Sequence, residues 1–186
     1  IVRESMARFE KQTGRHYDLF SYYGAKDADR VVILMGSAIG ACHETVDALN
    51  AKGEKVGALA IHLYRPFDAK GVLAALPKTV KSIAVLDRTK EAGALGEPLY
   101  LDIVAAVTEN WREIVGTNMP VIIGGRYGLS SKEFTPAMAK AVLDELKKDA
   151  PKNHFTVGIN DDLTKHSLAW DPSFITEDPE NTRAIF

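Results

Sequence analysis

A single cysteine, Cys42, stands among 186 residues. One thiol can neither close an internal disulfide nor supply the four thiolates of an iron–sulfur cluster, so both kinds of scaffold are excluded. Long apolar runs are missing as well: no stretch approaches the ~18–20 residues that a membrane-spanning helix needs. Neither sign of charge dominates, since 23 Lys and Arg face 25 Asp and Glu for a net charge of −2. That balance removes the electrostatic basis of a nucleic-acid-binding surface. The five histidines, His16, His43, His62, His154 and His166, fall into no HxxxH or HExxH spacing, so no metal site is advertised. The chain opens Ile1-Val2-Arg3 with neither an initiator methionine nor a signal-peptide pattern. It is therefore expected to be a fragment of a longer, cytoplasmic polypeptide.

What is present points to one folded unit. Hydrophobic residues make up 46% of the chain, enough for a sizeable core in a domain of ordinary size. Residues 4–11 predict a helix stopped near Gly14. An aromatic-rich extended lead-in, 17–23, follows, with Tyr17, Phe20, Tyr22 and Tyr23. From residue 30 strands and helices alternate. Apolar runs predict strands at 31–35, 56–64, 82–86, 121–123 and 155–158, and helices at 40–50, 69–76, 96–109 and 135–148. Asp68 is placed to cap the second helix and Pro77 to end it; Thr135-Pro136 reads as a cap followed by a first-turn proline. Five strands interleaved with four helices predict a three-layer α/β/α sandwich around a five-stranded, mostly parallel sheet. Beyond Asn160 the chain turns polar, with Asp171-Pro172 and Asp178-Pro179, as in a linker. The expected organisation is a lead-in over 1–29, an α/β domain over 30–159 and a linker over 160–186.

The chemistry-bearing residues gather at strand ends. Ile83, Ala84, Val85 and Leu86 break into the charged turn Asp87, Arg88, Thr89, Lys90, Glu91; Gly93 and Gly96 follow before a helix opens at Glu97-Pro98. Arg65, Arg88 and Arg126 each follow a strand at the same rim, where open α/β sheets bind ligands. With Lys90 they form a candidate binding cluster, able to clamp a phosphate or carboxylate. The same cations could instead pair with Asp68, Asp87, Glu91 or Glu133, or with carboxylates of a neighbouring domain. Gly36-Ser37-Ala38-Ile39-Gly40 enters a helix and suits either an anion or a tight turn. Cys42 and His43 are adjacent on that helix and so point to different faces. Ser130-Ser131 lacks the glycine pattern of a nucleophile elbow and reads as a cap ahead of Lys132-Glu133.

Three motifs, in order, carry a resemblance: Leu63-Tyr64-Arg65-Pro66-Phe67, the strand–loop–helix run over 85–102, and the run over 124–136 that begins Gly124-Gly125-Arg126-Tyr127-Gly128. Together they closely resemble the middle domain of the pyruvate:ferredoxin (flavodoxin) oxidoreductases, which is built like the C-terminal domain of transketolase; the likeness covers roughly 13–168. The resemblance implies a transketolase C-terminal-like fold with one antiparallel edge strand. It implies a parent enzyme that decarboxylates a 2-oxoacid, here pyruvate, on thiamine diphosphate with magnesium and passes the acyl group to coenzyme A. Two electrons then leave through [4Fe-4S] clusters to ferredoxin or flavodoxin. The parent is expected to be a homodimer. The thiamine fingerprint and the cysteine-rich cluster motifs of that family are missing from this chain. The resemblance therefore implies a segment that braces other domains and supplies no catalytic residue or metal ligand. This sequence departs from the family at Gly40 and Ala41, where an acidic residue and a threonine are usual, and at Ala92, where proline is usual. Two other classes stay open: a stand-alone nucleotide- or coenzyme-A-binding module, and a pure interaction domain.

Overall fold

Arg30–Leu34, Val56–Ile61 and Ser82–Asp87 are buried at every position, as happens when helices cover both faces of a parallel sheet. The computed structural model describes residues 1–116, 118–160, 163–178 and 180. Its elements run α1 (Val2–Thr13), β1 (Phe20–Gly24), β2 (Arg30–Leu34), α2 (Ile39–Asn50), β3 (Val56–Ile61), α3 (Ala69–Ala74), β4 (Ser82–Asp87), α4 (Pro98–Ile114) and β5 (Val121–Arg126). A short 3₁₀ turn (Leu129–Ser131), α5 (Pro136–Glu145), β6 (Phe155–Val157) and β7 (Ser167–Leu168) complete the order. The strands lie in the order β1-β3-β2-β4-β5-β6-β7. β1 is antiparallel to β3 and the other pairings are parallel.

Alternate residues of the central strands feed two separate cores. Val31, Ile33, Ile83 and Val85 pack with Leu73 of α3 and with Leu99, Ile103 and Trp111 of α4. Val32, Leu34, Ala84 and Leu86 pack on the opposite face with Val46 and Leu49 of α2 and Val142 and Leu143 of α5. A three-layer α/β/α sandwich results. The antiparallel edge strand implied by the family resemblance is β1.

Among the described residues seven strands replace the expected five. The lead-in supplies β1, whose alternation is hidden because Phe20, Tyr22 and Tyr23 are all aromatic. The stretch expected to be a linker supplies β7, which pairs two residues with β6, too few for any periodicity to register. The expected tail residues 161–162, 179 and 181–186 lie outside the described residues. Helix α4 runs five residues past its expected end at Glu109. Ser130 and Ser131 do not cap a helix: both take positive φ, 54° and 58°. The cap is Thr135, whose hydroxyl accepts from the Met138 amide at 3.4 Å, so α5 starts at Pro136. Asp68 caps α3 as expected, accepting from the Gly71 amide at 2.9 Å.

Candidate functional site

The carboxyl ends of the parallel strands form the rim where ligands bind in folds of this kind. Strand order reverses between β2 and β4, and that switch point is the usual ligand crevice. Here it is filled. Tyr127, just past β5 and 3% exposed, crosses the end of β4 and donates its hydroxyl to the Met35 carbonyl at 3.2 Å. Its ring packs 4.8 Å from that of Phe134. Burial pushes the Tyr127 phenol above its ordinary pKa, so it stays a neutral donor.

Beside that plug, Asp87 ends β4 and turns its carboxylate under the first turn of α4. Its two oxygens accept from the Leu99 amide at 3.0 Å and the Tyr100 amide at 3.1 Å. The start of α4, with Glu97 as its N-cap and Pro98 in its first turn, has no capping bond from Glu97 itself. Asp87 does that work from the neighbouring strand. Burial raises the pKa of Asp87, and the two amide bonds pull it back only in part.

Glu97 is thereby released to hold cations. Arg126 Nη1 lies 3.2 Å from Glu97 Oε1 and Lys90 Nζ lies 3.5 Å from the same oxygen. Arg126 Nη2 donates to the His154 carbonyl at 3.4 Å. Next to it, Asn153 accepts from the Gly124 amide at 2.7 Å and donates to the Tyr100 hydroxyl at 3.0 Å. The two glycines of β5 make this possible. A Cβ on Gly124 would sit 2.8 Å from the Tyr100 ring, and one on Gly125 would sit 2.2 Å from the Phe155 ring. Each face of β5 thus receives an aromatic ring at backbone distance.

The structure brings Lys90 and Arg126 of the expected cluster together on Glu97 and engages the other two cations separately. Arg65 does not extend past the sheet. It folds back with its guanidinium carbon 3.8 Å from the centre of the Tyr64 ring and Nη2 2.8 Å from Asp102 Oδ2 on α4. Burial, then the Asp102 carboxylate, pushes Tyr64 up to about 12. Arg88 is exposed and donates Nε to the Gly128 carbonyl at 3.0 Å. Of the acids named as alternative partners, Asp68 caps α3 and pairs with Arg3 at 3.1 Å; Glu97 holds Lys90 and Arg126, and Asp102 holds Arg65. One signal could have found Glu97 and Asp102: they are the carboxylates opening the helix that follows the charged loop. Gly93 takes positive φ, 82°, a conformation that glycine permits in that loop.

The remaining candidates separate. Cys42 is fully buried, while His43 stacks on Tyr23 with centroids 4.1 Å apart, so the pair does face two ways. Burial pushes the Cys42 thiol up to about 12. The turn at Gly36 leads into α2, whose N-cap residue Ala38 offers no side-chain cap. Among the described residues no group of three or more His, Cys, Asp or Glu side chains converges on a metal-sized site, and a lone buried thiol does not fit an iron–sulfur cluster. The rim is an interlock: its carboxylates hold strand ends, loop and helix start in one arrangement, leaving Arg65, Arg88 and Lys90 exposed.

Comparison with known proteins gives a consistent picture. The family described as pyruvate:ferredoxin oxidoreductase core domain II matches residues 28–131. The pyruvate-flavodoxin oxidoreductase of Nostoc sp. strain PCC 7120 is 56% identical over 195 residues, covering 100% of this chain and 16% of that protein. The probable pyruvate-flavodoxin oxidoreductase of Escherichia coli strain K12 is 54% identical, covering 97% of this chain and 15% of its own length. The pyruvate:ferredoxin oxidoreductase of Moorella thermoacetica is 53% identical over 90% of this chain and 14% of its own. The chain thus spans about one-sixth of the length of these three relatives.

Proposed function

The chain belongs to the pyruvate:ferredoxin oxidoreductase core domain II family, and from that premise we propose that it is a non-catalytic structural and assembly domain of an enzyme that oxidatively decarboxylates pyruvate to acetyl-CoA. The observation that carries this reading is identity of 56% running through the whole chain while covering only 16% of a pyruvate-flavodoxin oxidoreductase. Similarity at that level, spanning the whole chain, fits one part of a larger machine better than a free-standing binding module.

In this reading thiamine diphosphate with magnesium, coenzyme A and [4Fe-4S] clusters are held by the rest of the polypeptide, and ferredoxin or flavodoxin accepts the electrons. The parent is a cytoplasmic homodimer. Residues 1–29 lead in, 30–159 form the body of the α/β domain with β1 and β7 contributed by its two flanks, and the stretch after 159 leads toward a following domain. The residues present offer those cofactors little. One buried thiol does not suit a cluster, and the switch-point crevice that could take a nucleotide is filled by Tyr127. What the chain contributes is rigidity: Asp87, Glu97 and Arg126 fix the rim from which Arg65, Arg88 and Lys90 face a neighbouring domain or the coenzyme A entrance.

The test is to express the complete polypeptide carrying this sequence and the 186-residue chain side by side. Pyruvate- and coenzyme-A-dependent reduction of flavodoxin is expected from the first and not from the second, with thiamine diphosphate binding confined to the first. Stoichiometric thiamine diphosphate binding by the 186-residue chain, or a complete polypeptide that ignores pyruvate, would overturn the reading.

A further inference from the structure

Past β7 the chain lies back across α2 and α5. Asp171 and Pro172 open a turn, the residue types that favour its first two positions. Asp171 Oδ1 accepts from the Ser173 amide at 2.9 Å and from the Ser173 hydroxyl at 2.7 Å, and the Phe174 amide donates to the Asp171 carbonyl at 3.2 Å. The turn aims Phe174 at the helices. Its half-buried ring has Lys52 Nζ 5.4 Å and Lys140 Nζ 5.7 Å from its centre, one lysine just past the end of α2 and the other in α5. Two residues on, the Thr176 hydroxyl donates to Glu44 Oε2 of α2 at 2.9 Å. Ser173, Ile175 and Glu177 are exposed, so alternate side chains face the domain.

The attachment is thin. Among the described residues the backbone of 169–177 bonds only within its own turn. Clefts of about 530 Å³, between α5 and Trp170, and about 300 Å³, between Pro136 and Ile175, run along the segment. A stretch with few buried contacts and no backbone bonds to its support opens locally before the domain unfolds. Its main specific hold is the attraction of two ammonium groups to the negative face of one ring. We propose that residues 169–177 are a releasable strap, docked on the α2–α5 face with Lys52 and Lys140 as its catch on Phe174, which lifts as one unit and uncovers both lysines and Glu44 together. The turn at Asp171 travels with it because its bonds are internal, so release asks no rearrangement of either helix. Lys140 also pairs with Asp144, but Asp144 keeps Lys147 at 2.8 Å, so the Lys140 charge can be removed without stranding a carboxylate.

The test is native-state digestion by chymotrypsin of the 186-residue chain, whose two cores close within it. Peptides ending at Phe174 and at Phe155 are followed by mass spectrometry. Phe155 is fully buried and reports opening of the core. Cleavage after Phe174 is expected to run faster than after Phe155 and slower than in a free peptide of residues 166–180. Lys52→Met and Lys140→Met drop the charge and keep an apolar stem. Each is expected to speed cleavage after Phe174 by about two- to fivefold and to leave the rate after Phe155 unchanged. Lys52→Arg and Lys140→Arg, which keep a cation over the ring, are expected to stay near the native rate. Methionine variants cleaved at the native rate, or arginine variants cleaved as fast as the methionine ones, would overturn the catch. Cleavage after Phe174 in step with Phe155 would make the segment part of the core, and cleavage at the free-peptide rate would mean that it is not docked; either result overturns the strap.

Discussion

Glu97 and Arg126 meet at 3.2 Å with side chains 3% and 11% exposed, tying the start of α4 to the end of β5. Both charges are desolvated, so removing one strands the other. Glu97→Ala is expected to lower the unfolding free energy by about 3–5 kcal/mol. Lys90 touches the same carboxylate from a position 53% exposed, and Lys90→Ala is expected to cost at most ~1 kcal/mol. Urea unfolding of the two variants decides; equal, small losses would mean that water replaces Glu97 around Arg126.

Asp87 makes the stability depend on pH in a defined direction. Burial raises its folded-state pKa above the ordinary 3.8, so between those two values the folded state binds more protons than the unfolded. Stability from this group is present at low pH and is lost as pH rises through the folded pKa. Asp87→Asn removes that component. The stability of the native chain minus that of the variant is expected to fall as pH rises from about 3.8, then level off. A difference that grows with pH would mean that the amide bonds to Leu99 and Tyr100 outweigh desolvation.

Three glycines are expected to respond differently to alanine. Gly125→Ala drives a Cβ to 2.2 Å from the buried Phe155 ring and should cost about 1–3 kcal/mol by overpacking. Gly93→Ala meets open space but holds φ at 82°, a left-handed strain of about 1–2 kcal/mol. Gly40→Ala meets open space in the first turn of α2 and should stabilise by up to about 1 kcal/mol. Denaturation midpoints rank the three, and a destabilising Gly40→Ala would overturn the account of that turn.

Cys42 should behave as a core side chain. It is 0% exposed with its thiol pushed up to about 12, so almost no thiolate forms near neutrality. Iodoacetamide at pH 8 is expected to label the denatured chain promptly and the native chain only as fast as it opens. Prompt labelling of the native chain would place the thiol at a surface.

Arg88 separates domain-level from enzyme-level roles. Its described bond is to the Gly128 carbonyl from an exposed position, so Arg88→Ala is expected to cost the 186-residue chain under ~1 kcal/mol. In the complete polypeptide, where the rim is proposed to meet another domain, the same change should lower activity or assembly by a larger factor. Matching small effects in the thermal melt of the chain and in the assay of the parent would mark Arg88 as an ordinary solvated side chain.

Much of the scaffold was legible in one dimension because it is set by local physics. The apolar runs at 31–35 and 83–86 have the length and composition of strands covered on both faces, and Asp68 and Thr135-Pro136 announce their helices through unsatisfied amides in the first turn. The motifs around Arg65, Arg88 and Arg126 sufficed to point to the family. Signals failed where pattern was short or masked. Two residues of β7 carry no period, and the run of aromatics in β1 blurs inside and outside. Ser130 and Ser131 resembled a cap because sequence does not reveal left-handed backbone.

The amino-acid order by itself determined the layers and the direction of the sheet, since both follow from hydrophobic period and chain connectivity. Which carboxylate each cation meets was decided only by the fold. Glu97 is seven residues from Lys90 and 29 from Arg126, and Arg65 reaches Asp102 across 37. Those separations close only when right-handed crossovers lay α4 against β4 and β5. Asp87 takes the free amides of α4, which leaves Glu97 for Arg126. Competition of this kind, between several acids for a few donors in a space with little water, is settled by geometry that no spacing rule contains.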